Sequence, residues 1–132
     1  MSAELVIHTL LDADAGLNAL VADRIYSLTR PEGDPLPAVV HVEITDLPRP
    51  PIDATAGNEP MVGRIQVNCL GRTSNEVRQV KEAVIAACHK QSGSIGGITV
   101  EAVLQEPAGP RSYDALVDTC QQSVDFIVHY LR

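Results

Sequence analysis

Four runs of alternating apolar and polar residues constrain the fold of this chain more than any other feature. The run at residues 62–70 is the clearest, because Ile65, Val67 and Cys69 alternate with polar side chains. A period of two is typical of a strand that buries one face. Similar runs occupy residues 38–45, 98–106 and 119–130.

These runs come in two pairs, and a segment of helical periodicity precedes each pair, in the order α-β-β-α-β-β. We therefore predict an α+β fold, with an antiparallel, mainly four-stranded sheet and two principal helices packed on one face. His41 and Glu43 are expected on the outer, solvated face of the sheet. In three of the strands, the residues expected to face the core are Val40, Val42, Ile44, Ile98, Val100, Ala102, Leu104, Val124, Phe126, Val128 and Tyr130.

The two helical segments have recognisable start signals. Residues 3–22 form one bent helix, or two short helices that meet at Asp14, since aspartate is a favoured N-cap residue. Thr73 and Glu76 form a capping-box pattern ahead of the second segment. The apolar residues that this second helix gathers on one face are Val77, Val80, Val84, Ala87 and Cys88.

Proline is concentrated in one part of the chain, because seven of the nine prolines lie between residues 31 and 60. Within this region, residues 46–61 have no usable periodicity and are predicted to form a long proline-rich loop. A loop of that length inside a small domain is usually functional or disordered. The loop is expected to interrupt a single domain that spans residues 1–132, a normal length for one domain.

Charge and composition exclude several classes of function. The net charge is −7 and the isoelectric point is about 4.9, which argues against non-specific binding to DNA or to anionic membranes. Aromatic residues make up only 3%, too few for a base-stacking surface. The N-terminal residues lack the pattern of a signal peptide, and no apolar run approaches the ~18 residues of a membrane span.

No catalytic, metal-binding or cofactor-binding motif is evident. His41 and Glu43 have the H-x-E spacing of zinc deaminases, but the P-C-x-x-C partner motif is absent. The three cysteines are widely spaced and are interpreted as small core residues. We therefore predict no cofactor and no catalysis. The alternative is a small enzyme or ligand-binding domain, for which the best residues are His41, Glu43, Arg64 and Tyr26.

Several short phrases follow one another along most of the chain. Leu10 and Leu11 lie in a helix that runs into an arginine-isoleucine-tyrosine phrase, and a later helix occupies residues 76–90. The phrases are LNALVADRIY at residues 17–26, PAVV at 37–40, RIQVNCL at 64–70 and SVDFIV at 123–128. Taken in this order, they resemble a family of phage tail completion proteins, related to the tail terminators of long-tailed phages.

The resemblance implies a structural protein, in a phage or prophage, that caps the head-proximal end of the tail tube and ends tube growth. It implies a homo-oligomeric ring, commonly a hexamer, that contacts the tail tube protein and a head–tail connector or stopper protein. DNA would pass through the ring lumen without sequence-specific binding, and no membrane is involved. Assembly would occur in the bacterial host cytoplasm, and the product would reside in the virion tail or neck.

Two other functions are compatible with the sequence: a different neck protein, such as a head-completion protein or connector adaptor, and a chaperone or regulatory partner. A ring requires one patch to dock on a different patch of the next subunit, so sheet edges and the proline-rich loop are the natural contacts. We expect residues 48–60 to be mobile in the free subunit and ordered in the assembly. The interface candidates are Pro48, Pro50, Pro51, Asp53, Asn58, Met61, Arg111 and Tyr113.

Overall fold

A computed structural model describes residues 3–31, 35–48, 59–116 and 118–131. Within these ranges the chain forms three helices and seven strands. In chain order they are α1 (Ala3–Ala13), α2 (Ala15–Val21), β1 (Ile25–Ser27), β2 (Ala38–Pro48), β3 (Pro60–Gly71), α3 (Ser74–Cys88), β4 (Gly93–Ile95), β5 (Ile98–Gln105), β6 (Ser112–Asp114) and β7 (Thr119–Leu131).

The strands form one mixed sheet, and the prediction of a mainly four-stranded antiparallel sheet with two principal helices is wrong. The order is β1-β2-β3-β7-β5-β4, with β6 also paired to β7. β1 runs parallel to β2, with Ile25 opposite Val39, and the other pairs are antiparallel. The three strands that the predicted sheet does not include, β1, β4 and β6, have only three residues each, which is too short to display an alternating pattern.

The core lies between the helices and one face of the sheet. In β3 and β7 the predicted inward residues are fully or almost fully buried, which confirms the two longest alternating patterns. The predicted face of α3 is confirmed as well, and it packs on β3 and β7. These buried residues are Ile65, Val67, Cys69, Val124, Phe126, Val128 and Tyr130 on the strands and Val77, Val80, Val84, Ala87 and Cys88 on α3.

The predicted faces of the two other long strands are partly wrong, for different reasons. In β2 the residues 38–41 are buried on both faces, so alternation could not tell the faces apart, and Val39 and His41, opposite Cys69 and Val67 of β3, face the helices. Ile44, at the shift in register further along the strand, is 49% exposed. In β5 a similar shift between Val100 and Ala102 buries Val103 and exposes Leu104. A bulge adds one residue to one strand, so strict alternation assigns every later residue to the wrong face.

Both helix-start predictions are confirmed. The Asp14 carboxylate accepts the backbone amide of Leu17 at 2.8 Å, so residues 3–22 form two short helices rather than one bent helix. The Thr73 hydroxyl accepts the amide of Glu76 at 3.1 Å. The Glu76 carboxylate reaches back to the amide of Arg72 at 3.0 Å, one residue beyond the usual capping-box partner.

A glycine allows the first helix to approach the sheet closely. A Cβ atom at Gly63 of β3 would lie only 2.2 Å from the Cβ atom of Ala3, the first residue of α1. Only a residue without a side chain fits between the two elements. The close approach places the first turn of α1 against β3, and Glu4 in that turn lies 2.9 Å from His41 of β2.

Candidate assembly surface

The first part of β2, residues 38–41, is held on both sides and is called the clamped half here. β3 pairs with one edge and β1 with the other. The amide of Val39 donates to the carbonyl of Arg24, and the amide of Leu28 donates to the carbonyl of His41. All four residues of the clamped half are buried.

The last part of β2, residues 43–48, is paired on one side only and is called the open half. β3 covers one edge, with Leu47 opposite Val62, but β1 ends at Ser27 and no other strand of the described ranges pairs there. Backbone amides alternate in direction along a strand, and the Val39 amide points away from β3. Glu43, and Asp46 beyond the bulge, therefore direct their amides toward the open side, where they can template an added strand.

Apolar side chains accompany this open edge. Ile44 is 49% exposed and Leu47 is 60% exposed. Leu104 of β5, which is also exposed, lies opposite Ile127 and is separated from this edge by β3 and β7. Exposed apolar groups beside an unpaired strand edge, such as Ile44 and Leu47, are typical of a surface that is covered in an assembly.

A second exposed corner lies around β6, whose three residues are all exposed. Tyr113 and Leu116 present large apolar surfaces there, and Leu116 is 95% exposed. The Tyr113 hydroxyl donates to Asp118 at 2.6 Å, and the Arg111 guanidinium donates to the Ser74 hydroxyl at 2.7 Å. These bonds fix the shape of the corner and leave its apolar side chains uncovered.

The two corners are diagonally opposite on the sheet. Leu47 is paired with Val62, near the start of β3, whereas β6 borders the start of β7, beside Gly71 at the end of β3. β2 also lies on the far side of β3 from β7. The two corners are therefore different uncovered edges that point in opposite directions.

A buried polar chain lies beneath the clamped half. His41 is 2% exposed, and its Nδ1 atom lies 2.9 Å from Glu4 Oε1. Its Nε2 atom lies 2.9 Å from His8 Nδ1, and the Ser27 hydroxyl donates to the same Glu4 oxygen. Burial lowers the pKa of His41, and the nearby Glu4 carboxylate only partly opposes this. The chain joins α1 to β1 and β2 by hydrogen bonds, in addition to the apolar packing of α1 in the core.

Carboxylates also gather beside the open half. The Tyr130 hydroxyl donates to both oxygens of Asp46, at 2.6 and 2.7 Å. Burial, together with the neighbouring Asp46 and Glu4 carboxylates, raises the pKa of Glu43 above its ordinary value. A cation brought to this edge would relieve that repulsion.

The residues of the enzyme alternative do not converge on one site. His41 is buried under α1, whereas Arg64 lies on the opposite face of the sheet, paired with Asp125 at 2.8 Å. Glu43 lies at the exposed edge of β2. Within the described ranges, no group of three or more His, Cys, Asp or Glu residues is arranged to hold a metal ion.

The predicted interface residues lie in different environments. Arg111 and Tyr113 are exposed at the β6 corner, and Pro48 is the exposed last residue of β2. Met61 is only 2% exposed and packs in the core. Pro50, Pro51, Asp53 and Asn58 lie outside the described residues, and the expected mobility of residues 48–60 stays a prediction. β2 and β3 extend to Pro48 and from Pro60, so both ends of the predicted loop at residues 46–61 are strand.

Sequence patterns missed the residues that define the open half and the buried chain. Ile44 was predicted to face the core and Leu47 to lie in the loop at residues 46–61, because no pattern in the sequence marks the bulge or the extension of β2 to Pro48. Glu4 and His8 lie one helical turn apart on α1, an i, i+4 spacing that could have paired them, but their partner His41 is distant in sequence.

Uncovered strand edges and exposed apolar corners are typical of a protein that works through contacts with other proteins. The family model for tail completion protein gp17 matches residues 6–128, so this chain belongs to that family. It is a structural, tail-associated phage protein that takes part in virion assembly alongside other tail or head proteins.

Solved structures have the same fold. A chain from the virion of a native gene transfer agent particle superposes with a TM-score of 0.72 and 15% identity, covering 99% of this chain and 96% of that one. A second solved chain gives a TM-score of 0.55 and 17% identity, over 99% and 95% of the two chains.

No curated protein matches the sequence significantly. Among the described residues, no helix has the length and apolar character needed to cross a bilayer.

Proposed function

We propose that this chain forms a closed ring that caps the head-proximal end of a phage tail tube, ends tube growth and provides the surface for head joining. Membership of the tail completion family, over almost the whole chain, is the observation that carries the proposal. The chain would act without catalysis. Its partners would be copies of itself, the tail tube protein and a head–tail connector or stopper, met in the bacterial host cytoplasm.

The uncovered surfaces support assembly into a ring. A closed ring needs a heterologous contact, in which one surface of each subunit binds a different surface of the next. The open half of β2 and the β6 corner are two such surfaces on opposite sides of the sheet. The net charge of −7 also suits a channel through which DNA slides, because it disfavours adhesion of phosphates.

Solution mass tests the ring directly. Light scattering over a concentration series should give a discrete mass near six subunits, or that mass should appear when assembling tail tube protein is added. Electron microscopy of the same sample should show closed rings. A closed ring with a different number of subunits would overturn the hexamer. A chain that stays monomeric in the presence of assembled tubes would overturn the ring itself.

Tube length tests the capping role. Adding the chain to polymerising tube protein should stop elongation and place one extra ring at one end of each tube. Leu47→Asp should abolish this effect, because it adds a charge to the uncovered apolar edge. The matched control is Leu28→Asn, which changes another exposed leucine, at a positive φ of 70° that asparagine tolerates.

Tubes that keep elongating in the presence of a well-formed ring would contradict the capping role. That outcome would favour a different neck protein, such as a connector adaptor, which binds the head side without limiting tube growth.

A further inference from the structure

We propose that the open half of β2 binds the β6 corner of a second copy of this chain, with β6 added to the sheet as an intermolecular strand. The proposal rests on the proposed ring and names the contact that closes it. Each copy would place its β6 corner on the open half of one neighbour and bind the β6 corner of the other neighbour on its own open half. The sheets of neighbouring subunits would thereby become continuous around the ring.

The backbone supplies the first argument. Along the open half, Glu43 and Asp46 direct their amides to the side that no described strand covers. An exposed strand edge of this kind is completed by main-chain hydrogen bonds from an extended segment, which is the physical basis of strand addition. β6 is already extended, and within the described residues only its β7 side is paired.

The apolar side chains supply the second argument. Ile44 and Leu47 stand exposed at one edge, and Tyr113 and Leu116 stand exposed at the other. Contact between the two corners would remove all four from water, and apolar burial is the main driving force for association.

The other exposed short strand, β4, fits the open half less well. Its first two residues, Gly93 and Ser94, offer no large apolar side chain, and Ile95 is buried within its own subunit. Strand addition there would form main-chain hydrogen bonds but would bury little additional apolar surface.

Charge supplies the third argument. The carboxylates of Glu4, Glu43 and Asp46 crowd around the open half, and Glu43 is exposed at its edge. Arg111 stands exposed directly before β6, and among the described residues its guanidinium bonds only to the neutral hydroxyl of Ser74. The two acidic residues of the β6 corner are engaged locally, Asp114 with the Leu116 amide and Asp118 with Tyr113. Arg111 therefore brings a cation to the crowded carboxylates.

Site-directed cross-linking tests the contact. In a Cys120→Ser background, Thr45→Cys and Ser112→Cys are combined in one chain and treated with a short bifunctional maleimide. The remaining thiols do not compete, because Cys69 and Cys88 are buried and burial raises the pKa of Cys69 to about 12. The expected result is a covalent ladder that ends at the ring size. The matched control, Thr45→Cys with Ser94→Cys, should give no ladder.

Charge exchange tests the same contact independently. Glu43→Arg and Arg111→Glu should each weaken subunit association by about tenfold or more, since like charges then meet at the interface. The double variant should recover ring formation. Circular dichroism and urea denaturation establish that each variant is folded before its mass is measured.

The outcomes separate the inference from the proposed function. Rings that form without a ladder from the β2–β6 pair, or with a ladder from the β2–β4 pair, overturn the inference and leave the capping function standing. A double variant that forms rings no better than either single variant also overturns the inference. A monomer in every condition, with tube protein present, overturns both proposals.

Discussion

The two halves of β2 are one continuous strand with opposite surroundings. The clamped half is bordered by β1 and β3, covered by α1 and fully buried, whereas the open half has one unpaired edge and exposes Ile44 and Leu47. A bulge at residues 43–45 separates them. The comparison suggests that stability and assembly are divided along the strand. Changes in the clamped half should unfold the subunit, and changes in the open half should leave it folded but unable to assemble.

The largest expected effect comes from placing the same charge in each half. Val39→Asp should prevent folding, because an unpaired carboxylate in a fully buried site costs several kcal/mol. Ile44→Asp should change the free energy of unfolding by less than about 0.5 kcal/mol, as exposed substitutions usually do, yet abolish the ring. Urea denaturation measures the first quantity and light scattering the second. A folded, assembling Ile44→Asp variant would remove the distinction between the halves.

The next effect concerns the approach of α1 to the sheet. Gly63→Ala should lower the free energy of unfolding by about 1–3 kcal/mol, because the added methyl group overlaps Ala3. Gly16→Ala is the matched control within α2, where the new Cβ atom meets only an ordinary contact at 3.4 Å. Alanine is the better helix former there, so the control should stabilise the protein by roughly 0.5–1 kcal/mol. Equal effects from the two variants would refute the close-approach argument.

A smaller effect should appear on acidification. Because the pKa of His41 in the folded protein lies below the ordinary value of 6.5, the unfolded chain binds a proton first as the pH falls. The free energy of unfolding should therefore decrease as the pH falls below about 6.5 and should gain nothing from this residue above it. The slope for one proton is at most about 1.4 kcal/mol per pH unit.

His41→Gln isolates this contribution. The glutamine variant should show a flatter dependence of unfolding free energy on pH between 5 and 7 than the natural chain. His89→Gln is the control, since His89 lies outside the Glu4–His41–His8 chain and accepts the Gln105 amide. If the unfolding free energies of the natural chain and of His41→Gln changed with pH in parallel, the pH dependence could not be assigned to His41.

The smallest effect is expected on the outer face of the sheet. Arg64→Ala or Asp125→Asn removes the ion pair across β3 and β7, in which the Arg64 side chain is 41% exposed. Exposed pairs contribute only about 0–1 kcal/mol. A loss well above that range, measured by urea denaturation, would show that the outer face contributes more to stability than its exposure implies.

The parts of the fold that the sequence predicted are those in which local pattern and tertiary environment agree. β3, β7 and the buried face of α3 followed from simple periodicity, and Asp14 and Thr73 followed from the chemistry of helix caps. The bulges in β2 and β5 have no local signal, because they depend on how each strand pairs with its neighbours. The burial of His41 depends on Glu4 and His8, which only the folded chain brings to it.

The candidate site was predicted only in part for the same reason. Arg111 and Tyr113 lie in a turn-rich segment, where exposure is the usual outcome, and both are exposed. Met61 was assigned to a loop, but β3 begins at Pro60, and the alternation of that strand turns Met61 into the core. An open edge is a property of the whole sheet, so no single stretch of sequence contains it.

Amide hydrogen exchange of β2, in the free subunit and in the assembled ring, tests the account most directly. We predict that the amides of Glu43 and Asp46 exchange rapidly in the free subunit and become protected in the ring. The amides of residues 39–41 should be protected in both states, because β1 and β3 already cover them. Unchanged exchange at Glu43 and Asp46 in a fully formed ring would contradict the claim that the open half of β2 is an assembly surface.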